Sequence, residues 1–400
     1  MLRLLTYTSL YPNAVQPTFG VFVENRLRHL VASGRVTSRV IAPVPWFPFE
    51  SRLFPVYSGY ARMPREEQRH GLLVMHPRFI AIPKIGMNVA PRLLYAATAP
   101  LVARLVAGEP GVDLIDAHYA YPDGVAAAWL GRRFDLPVVL TVRGSDVNVL
   151  SHYDAPRRRI LETVRSVAGL ITVSRGLKDR LVELGVADQH IVVLRNGVDL
   201  DAFQPVDKDA AMRALGLEGR VVLSVGQLVA LKGLDLTIRA LAKVPDTTLL
   251  IVGEGPERSR LEALTAAEGV GHRVRFVGRV DHDRLKTYFS AANLSVLASR
   301  SEGWANVLLE SMACGTPVVA TDIPGTREVV GASEAGFLVP RTVEAIADGI
   351  RRLLAKPPSR AATRAYAERF GWEDTTRGQL ALFESILERH RASRSLTDRA

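Results

Sequence analysis

The sequence is poor in the features that mark several classes of protein. Its 400 residues include one cysteine, Cys314, which excludes a disulfide framework or a CxxC metal site and is typical of a reducing compartment. The most apolar stretch, 89–106, is interrupted by Arg92 and Arg104, whereas a bilayer crossing needs roughly 18 apolar residues. The first residues have too short an apolar run for a signal peptide. We therefore expect a cytoplasmic protein without a transmembrane helix.

Acidic residues are scarce in the first half of the chain. Residues 1–196 hold 24 Lys and Arg against 15 Asp and Glu, whereas 197–400 hold 27 against 26. Net charge alone reflects solubility and association, so a solvated basic surface and a nucleic-acid-binding protein both remain open. No basic motif interleaved with aromatic residues, as nucleic-acid binding favours, is evident.

Some of this charge lies beside aromatic residues. A loop with the sequence Pro-Trp-Phe-Pro-Phe at 45–49 precedes Arg52, Arg62, Arg65 and Arg69, and three more arginines follow at 157–159. Aromatic and basic side chains together suit a surface of anionic lipid. We therefore hypothesise a peripheral protein on the cytoplasmic face of a membrane.

Short apolar runs alternate with longer segments of helical period. The run at 2–6, a helical stretch at 23–31 and the run at 36–42 form a βαβ unit, and the pattern restarts near residue 221. Near-continuous apolar strands indicate a parallel sheet covered on both faces, and 400 residues exceed what one core usually supports. The sequence predicts an α/β fold with two doubly wound, Rossmann-like domains facing a cleft, where ligands bind beyond the carboxyl ends of the strands.

Turn residues at 196–205 mark the break between the two domains. We predict an N-terminal domain at 1–198 and a C-terminal domain at 199–365, with a segment at 366–400 that crosses back to the first domain. The last segment is assigned in this way because it is amphipathic and follows the final strand of the second domain.

The strongest motif lies at 301–320. Glu302 ends a loop after a predicted strand, and Glu310 follows eight residues later, a little over two helical turns. Both carboxylates can therefore face one side of a helix predicted from about 304 to 314, and the amides at the start of that helix form an anion site. A generic pair of glutamates would more often be surface residues.

The motif resembles the Glu-x7-Glu signature of the family 4 retaining glycosyltransferases, which have the GT-B fold, and the resemblance covers essentially the whole chain. It implies a hexosyltransferase-type enzyme (EC 2.4) that moves a sugar from a nucleoside diphosphate sugar to an acceptor hydroxyl. It also implies that 1–198 is the acceptor-side domain and 199–365 the nucleotide-sugar-binding domain. Within the motif, it implies that Glu302 contacts the donor sugar and Glu310 the ribose. The donor-binding residues between them are Gly303, Trp304, Ala305, Asn306 and Val307, and many members have glycine where Ala305 stands.

Two further loops follow predicted strands of the second half. Gly226, Gln227 and Lys232 resemble a loop in which an arginine and a lysine hold the donor diphosphate. Lys232 matches the lysine and is a candidate catalytic residue together with Glu302, but Gln227 cannot supply the charged fork of an arginine. The resemblance places Gly253 and Gly255 beside the nucleotide, although a plain tight turn remains an equal alternative.

Other candidates lie in the first half. Gly20 joins a strand to a helix, where glycine lets the backbone approach a phosphate. The resemblance implies that this phosphate belongs to the donor, although a plain helix start remains the alternative. His118 ends a strand, and the resemblance puts it next to the transferred sugar as a catalytic residue, although such a histidine is more often structural. Arg143 and Asp146 resemble an acceptor-side segment in which histidine is usual instead of Arg143. Ser174 is either an acceptor-side residue or only a helix N-cap.

Three Asp-x-Asp pairs begin at Asp199, Asp207 and Asp281, but we interpret them as turns and predict no metal and no cofactor besides the nucleotide-sugar co-substrate. The expected partners are that donor, a glycan or polyprenyl-diphosphate-linked acceptor and an anionic membrane surface, in cell-surface or exopolysaccharide synthesis. We expect no nucleic-acid partner. A nonhydrolysing nucleotide-sugar epimerase on the same fold and a basic nucleic-acid-binding protein remain the alternatives.

Overall fold

The structure, a computed structural model, describes residues 1–46, 59–60, 62–80 and 86–397. It divides into two units, one formed by Met1–Arg195 with the segment that starts at Glu373, the other by Asn196–Trp372. The sequence predicted domain boundaries after residues 198 and 365, and the two units of the structure divide after residues 195 and 372. The aromatic residues Phe47 and Phe49 and the neighbouring Arg52, which carried part of the lipid hypothesis, lie outside the described residues.

The first unit contains an eight-stranded sheet in the order β10-β9-β8-β7-β1-β2-β5-β4 and a separate parallel pair, β3 with β6. Every pairing in the large sheet is parallel except β4 with β5. The strands are β1 (Leu2–Tyr7), β2 (Val36–Ile41), β3 (Val44–Trp46), β4 (Glu66–Arg69), β5 (Leu72–Met75), β6 (Arg78–Ile80), β7 (Leu114–His118), β8 (Val138–Val142), β9 (Gly169–Thr172) and β10 (Ile191–Val193). The central strands β7, β8 and β9 are buried at every position, as a sheet covered on both faces requires.

Helices join these parallel strands because a parallel pairing needs a crossover connection. They are α1 (Val21–Ala32), α2 (Ala90–Ala107), α3 (Val125–Phe134), α4 (Ser145–Asn148), α5 (Asp154–Ser166) and α6 (Arg175–Glu183). Short turns of 3₁₀ helix lie at Gly86–Asn88, Leu150–His152 and Asp188–His190, and a π-type turn lies at Ala120–Gly124.

The second unit has a six-stranded, wholly parallel sheet in the order β13-β12-β11-β14-β15-β16. Its strands are β11 (Arg220–Val225), β12 (Thr247–Val252), β13 (Val274–Gly278), β14 (Leu294–Leu297), β15 (Val318–Thr321) and β16 (Gly336–Val339). Its helices are α7 (Lys208–Ala214), α8 (Leu234–Ala242), α9 (Arg258–Ala267), α10 (Leu285–Ala291), α11 (Asn306–Ala313), α12 (Pro324–Arg327), α13 (Val343–Ala355) and α14 (Arg360–Ala367), with 3₁₀ turns at Ala230–Lys232, Gly271–Arg273, His282–Arg284 and Glu368–Phe370.

A last helix, α15 (Glu373–Thr397), belongs to the first unit. Its buried side chains Leu380, Phe383, Ile386 and Leu387 pack in the same apolar cluster as residues of α1 and the large sheet. The spacing of these residues is that of one helical face. The core of the first unit is therefore completed by residues from the far end of the chain.

The predicted α/β class with two Rossmann-like domains is confirmed. Five strands, β3, β4, β5, β6 and β16, were not predicted. Among them, β4 is entirely polar, so no apolar run marks it in the sequence. The helix predicted from about 304 begins at Asn306 instead, since Ala305 has non-helical backbone angles. No helix in the described part of the chain has the length and apolar character that a membrane crossing requires.

Candidate active site

The loops after β11 and β12 lie in backbone contact. The amide of Gly226 donates to the carbonyl of Val252 at 2.9 Å, and the amide of Leu228 donates to that of Glu254 at 2.9 Å. Gly253 has a φ of 134°, and a Cβ atom there would lie 2.0 Å from the Gly226 carbonyl oxygen. Because no side chain fits in that space, Gly253 is required for the two loops to approach each other.

Lys232 joins the loop after β11 to the loop after β14. Its Nζ donates to Oε1 of Glu302 at 2.7 Å, and the hydroxyl of Ser299 donates to the same oxygen at 2.6 Å. The side chains of Lys232 and Glu302 are 25% and 13% exposed, so a ligand can still reach both. In the described part of the chain the second carboxylate oxygen of Glu302 has no hydrogen-bond partner, which leaves it able to accept a hydroxyl.

The start of α11 lies immediately after this pair. No side chain caps the helix. The amide of Asn306 donates to the Trp304 carbonyl and that of Leu308 to the Ala305 carbonyl, whereas the amide of Val307 has no partner among the described residues. An open amide at a helix start, together with the positive end of the helix dipole, favours an anion.

Glu310 lies about one turn into α11 and is paired with a residue that was not predicted from the sequence. Oε1 of Glu310 is 3.6 Å from Nε2 of His282, and the imidazole packs edge-on against the Phe203 ring with centroids 4.9 Å apart. Burial opposes protonation of His282, but the nearby carboxylate of Glu310, together with Asp199, outweighs it and raises the pKa of His282.

The other residues between the two glutamates are buried to different degrees. Trp304 is 6% exposed and its ring lies 6.3 Å from that of Phe370, so only its backbone is placed to meet a ligand. The side-chain oxygen of Asn306 accepts from the amide of Asn196 at 3.3 Å. Gly303 and Ala305 are buried, Val307 is partly exposed and Gln227 is exposed. Gly255 packs against Leu228, where a Cβ would lie 2.4 Å from the carbonyl oxygen.

In the first unit, His118 is enclosed rather than exposed. Its side chain is 1% exposed, with Nδ1 2.8 Å from Nη2 of Arg143 and Nε2 3.3 Å from Oδ2 of Asp116. Because a guanidinium only donates, Nδ1 is the acceptor and the proton is on Nε2. Burial lowers the pKa of His118 to about 4 despite Asp116, so the ring is neutral. A ligand would have to displace one partner to bind the ring.

Arg143 and Asp146, both predicted on the acceptor side, are also buried. Arg143 lies over the ring of Phe22, 5.3 Å from its centroid, and burial together with repulsion from Arg26 lowers its pKa to about 9. The carboxylate of Asp146 accepts the amides of Gly144 at 2.7 Å and Ala120 at 2.8 Å. Asp146 therefore ties together the loops that follow β7 and β8.

Gly20 and Ser174 have clear local roles. Gly20 precedes α1 with a φ of 73°, and a Cβ there would lie 2.3 Å from the Leu10 carbonyl oxygen. The hydroxyl of Ser174 accepts the amide of Leu177 at 3.3 Å and caps α6. In the second unit, the structure thus brings together Lys232, Glu302 and the start of α11. In the first unit, it brings together His118, Arg143 and Asp146. It places Ser174 at a helix cap.

Three buried polar residues of the first unit, Arg26, Asp116 and Gln379, were not predicted from the sequence. Nε of the fully buried Arg26 donates to Oε1 of Gln379 at 2.8 Å, and Nε2 of Gln379 donates to Oδ2 of Asp116 at 3.2 Å. A polar residue on the apolar face of a helix could have identified two of them. Arg26 lies on the same helical face as Val23, Leu27 and Leu30, and Gln379 precedes Phe383 by one turn. Among the residues that the structure describes, no group of three or more His, Cys, Asp or Glu could hold a metal ion.

Both halves of the chain match known glycosyltransferase families. Residues 21–202 match the family described as Glycosyltransferase Family 4, and residues 207–370 match Glycosyl transferases group 1. TuaC of Bacillus subtilis (strain 168), a glycosyltransferase whose name assigns it to teichuronic acid biosynthesis, is 31% identical over 358 residues, 88% of this chain and 89% of TuaC. The chain belongs to the family 4 glycosyltransferases.

Two further proteins resemble this glycosyltransferase. The D-inositol 3-phosphate glycosyltransferase of Mycobacterium tuberculosis (strain ATCC 25177 / H37Ra) is 34% identical over 331 residues, 76% of this chain and 68% of that protein. Alr3699/HepE of Anabaena, solved in complex with UDP and glucose, has the same fold with a TM-score of 0.73 at 21% identity, over 96% of this chain and 100% of that one. These relatives do not favour the epimerase or the nucleic-acid-binding alternative.

Proposed function

We propose that this glycosyltransferase moves a sugar from a nucleoside diphosphate sugar to an acceptor hydroxyl with retention of the anomeric configuration. The observation that carries the proposal is the Lys232–Glu302 pair beside the uncapped start of α11. A cation and an open amide suit a diphosphate, and a carboxylate oxygen suits a sugar hydroxyl. This region therefore has binding groups for both the diphosphate and the sugar of such a donor. The UDP and glucose bound by the Anabaena protein of the same fold support this choice of donor.

In the proposed reaction, the bond between the anomeric carbon and the diphosphate oxygen breaks while the acceptor oxygen bonds to the same face of that carbon. The acceptor proton passes to the leaving diphosphate. Lys232 and the start of α11, with the open amide of Val307, stabilise the charge that develops on the diphosphate, and electrostatic stabilisation of this kind is most effective at a preorganised site. Glu302 holds the sugar and Glu310 the ribose, while Gly226, Gln227, Gly253 and Gly255 line the nucleotide.

The first unit is proposed to supply the acceptor side. His118 would lie next to the transferred sugar, held by Arg143 and Asp116, and Asp146 and Ser174 would fix the surrounding loops. Gly20 would bring the backbone near the donor phosphates. We propose no metal requirement, because Lys232 and the helix start neutralise the leaving group, and no cofactor besides the donor. Full activity after exhaustive EDTA treatment is the expected result.

We further propose an anionic, lipid-linked glycan as acceptor and association with the cytoplasmic face of a membrane. The names of two relatives include an anionic molecule, teichuronic acid in one and D-inositol 3-phosphate in the other. The register of β3 with β6 sets Trp46 beside Ile80, and these side chains are 43% and 55% exposed. Such an apolar pair within a basic unit suits the interface of anionic lipid.

Two measurements test the proposed reaction. A thermal-shift screen of UDP-, GDP- and ADP-sugars should give a rise in melting temperature for one of them, because a ligand that binds only the folded state stabilises it. With that donor and an acceptor, the anomeric coupling constants of the product should report the configuration of the donor. An inverted linkage would overturn the retaining mechanism, and the absence of a shift with every donor would overturn the donor class.

A further inference from the structure

His282 is a part of the second unit that the proposed function leaves without a role. It begins the 3₁₀ turn that follows β13, and its Nε2 lies 3.6 Å from Oε1 of Glu310. The ring stands at 87° to that of Phe203, which is 1% exposed. A buried aromatic wall thus fixes the imidazole, while 28% of the His282 side chain remains exposed.

The carboxylate of Glu310 depends on this one contact. In the described part of the chain, no other side chain lies within hydrogen-bond or ion-pair distance of it, and its side chain is 18% exposed. The terminal torsion of a glutamate has broad preferences, so an unanchored carboxylate samples many orientations. The pairing with His282 through Oε1 leaves Oε2 as the acceptor available to a ligand.

The charges around His282 favour the ionised pair. Asp199 and Asp283 add to the field of Glu310, and together they raise the pKa of His282 against the effect of burial. The two groups are within ion-pair distance at 3.6 Å, and a positive charge on the imidazole attracts the carboxylate. The imidazole therefore holds the carboxylate more firmly than a neutral donor would.

We propose that His282 is a positioning residue that orients the carboxylate of Glu310 toward the ribose hydroxyls and so sets the preference of the enzyme for ribonucleotide donors. The proposal rests on the proposed function, in which Glu310 binds the ribose. A fixed carboxylate gains its hydrogen bonds to both hydroxyls without first having to be ordered, which is the general advantage of preorganisation. A nucleotide analogue that lacks the ribose hydroxyls gains no affinity from the fixed orientation of the carboxylate.

The test measures the dissociation constants of UDP and 2′,3′-dideoxy-UDP for the full chain by titration calorimetry, with GDP and its dideoxy analogue in parallel. The readout is the ratio of the two constants, since a general loosening of the site weakens both ligands and leaves the ratio unchanged. The variants are His282→Leu, His282→Gln and Glu310→Gln. The matched control is His272→Leu, at an exposed histidine of the same unit.

We expect a ribose preference of about 10- to 100-fold in the wild type, from hydrogen bonds to a charged acceptor. It should fall about 5-fold or more in His282→Leu, fall less in His282→Gln, which keeps a donor, and stay unchanged in His272→Leu. The double variant His282→Leu/Glu310→Gln should lose no more of the ribose preference than Glu310→Gln alone, because the effects of two coupled residues are not additive.

The outcomes separate the two proposals. A full ribose preference in His282→Leu, with the preference lost in Glu310→Gln, would overturn the role of His282 and leave the ribose site intact. A full preference in Glu310→Gln would instead remove the ribose role of Glu310, on which the inference depends. No binding of either nucleotide would count against the proposed donor class itself.

Discussion

At the scale of single residues, the second unit concentrates opposite charges where two loops meet. Lys232 and Ser299 both donate to one oxygen of Glu302, so the lysine has a structural partner before any ligand arrives. A diphosphate would compete with the carboxylate for the ammonium group. Lys232 is therefore expected to act mainly on the leaving group, whose charge increases during the reaction.

Replacing Lys232 with methionine should lower kcat by about 100- to 1,000-fold, the range found when one preorganised donor to a developing anion is removed. The measurement is the rate of sugar transfer at saturating donor. Lys243→Met is the matched control, because Lys243 is half exposed and pairs with Glu344. A Lys232→Met enzyme that retains wild-type kcat would remove the lysine from the mechanism.

Gln227 stands at the position of an arginine in the family loop that 225–233 resembles. An arginine there would add a charged fork for the diphosphate, and the exposed position of Gln227 gives it room. Gln227→Arg should therefore tighten the binding of the nucleotide sugar by about 3- to 10-fold in a calorimetric titration. An unchanged dissociation constant would mean that the side chain at 227 does not face the donor.

The buried carboxyl of Asp123 gives a pH prediction in the first unit. Burial raises its pKa to about 7, although the amide and hydroxyl of Ser9 act in the opposite direction. Between the ordinary carboxyl pKa and about 7, the folded state binds more protons than the unfolded state, so this group lowers stability as pH rises through that window.

Asp123→Asn removes this effect. The melting temperature of the variant relative to the wild type should increase by several degrees between pH 5 and pH 8. The exposed Asp179→Asn serves as the control and should give the same difference at both values of pH. A difference for Asp123→Asn that does not change with pH would show that the carboxyl ionises normally.

At the scale of elements, α15 contributes more than apolar area to the first unit. Gln379 lies among its buried residues and contacts both Arg26 of α1 and Asp116 of β7. Asp116 in turn contacts His118. The helix therefore fixes the polar group that holds the predicted catalytic histidine in one tautomer.

Gln379→Leu should cost about 1–3 kcal/mol of unfolding free energy, the typical cost when buried polar groups lose a partner. Arg26 would lose an acceptor and Asp116 a donor. The measurement is the urea midpoint, with the exposed Glu388→Leu on the same helix as the control. A Gln379→Leu midpoint equal to that of the control would mean that water replaces the amide.

At the scale of the whole molecule, the basic excess lies in the first unit together with an exposed apolar pair, Trp46 and Ile80. Each basic residue near an anionic membrane surface adds about 1 kcal/mol to binding. We expect co-sedimentation with phosphatidylglycerol vesicles at low salt and none with phosphatidylcholine vesicles. The double variant Trp46→Ser/Ile80→Ser should bind less, whereas Val182→Ser, at an exposed valine elsewhere in the unit, should not. Equal binding to both lipids would contradict the charge argument.

Much of the fold could be predicted from the sequence because apolar period and turn chemistry are local. The apolar runs at 2–6 and 36–42 match β1 and β2 to within one residue at each end, whereas β4 was not predicted because it is entirely polar and is defined by its pairing with β5. In the second unit the glutamate motif marked the right loop. The pairing of Glu310 with His282 could not be predicted from the sequence, since it is a tertiary contact between two separate elements. Arg26 and Gln379 are 353 residues apart.

The position of α15 in the chain has a consequence for the order of folding during synthesis. The second unit is one continuous stretch, so it is complete as soon as Trp372 has left the ribosome. The first unit begins earlier but lacks Phe383 and its neighbours until α15, which follows the second unit, has been translated. The usual order, in which the N-terminal domain folds first, is therefore reversed at the last step. Until then, the nascent chain exposes the apolar surface that α15 will cover.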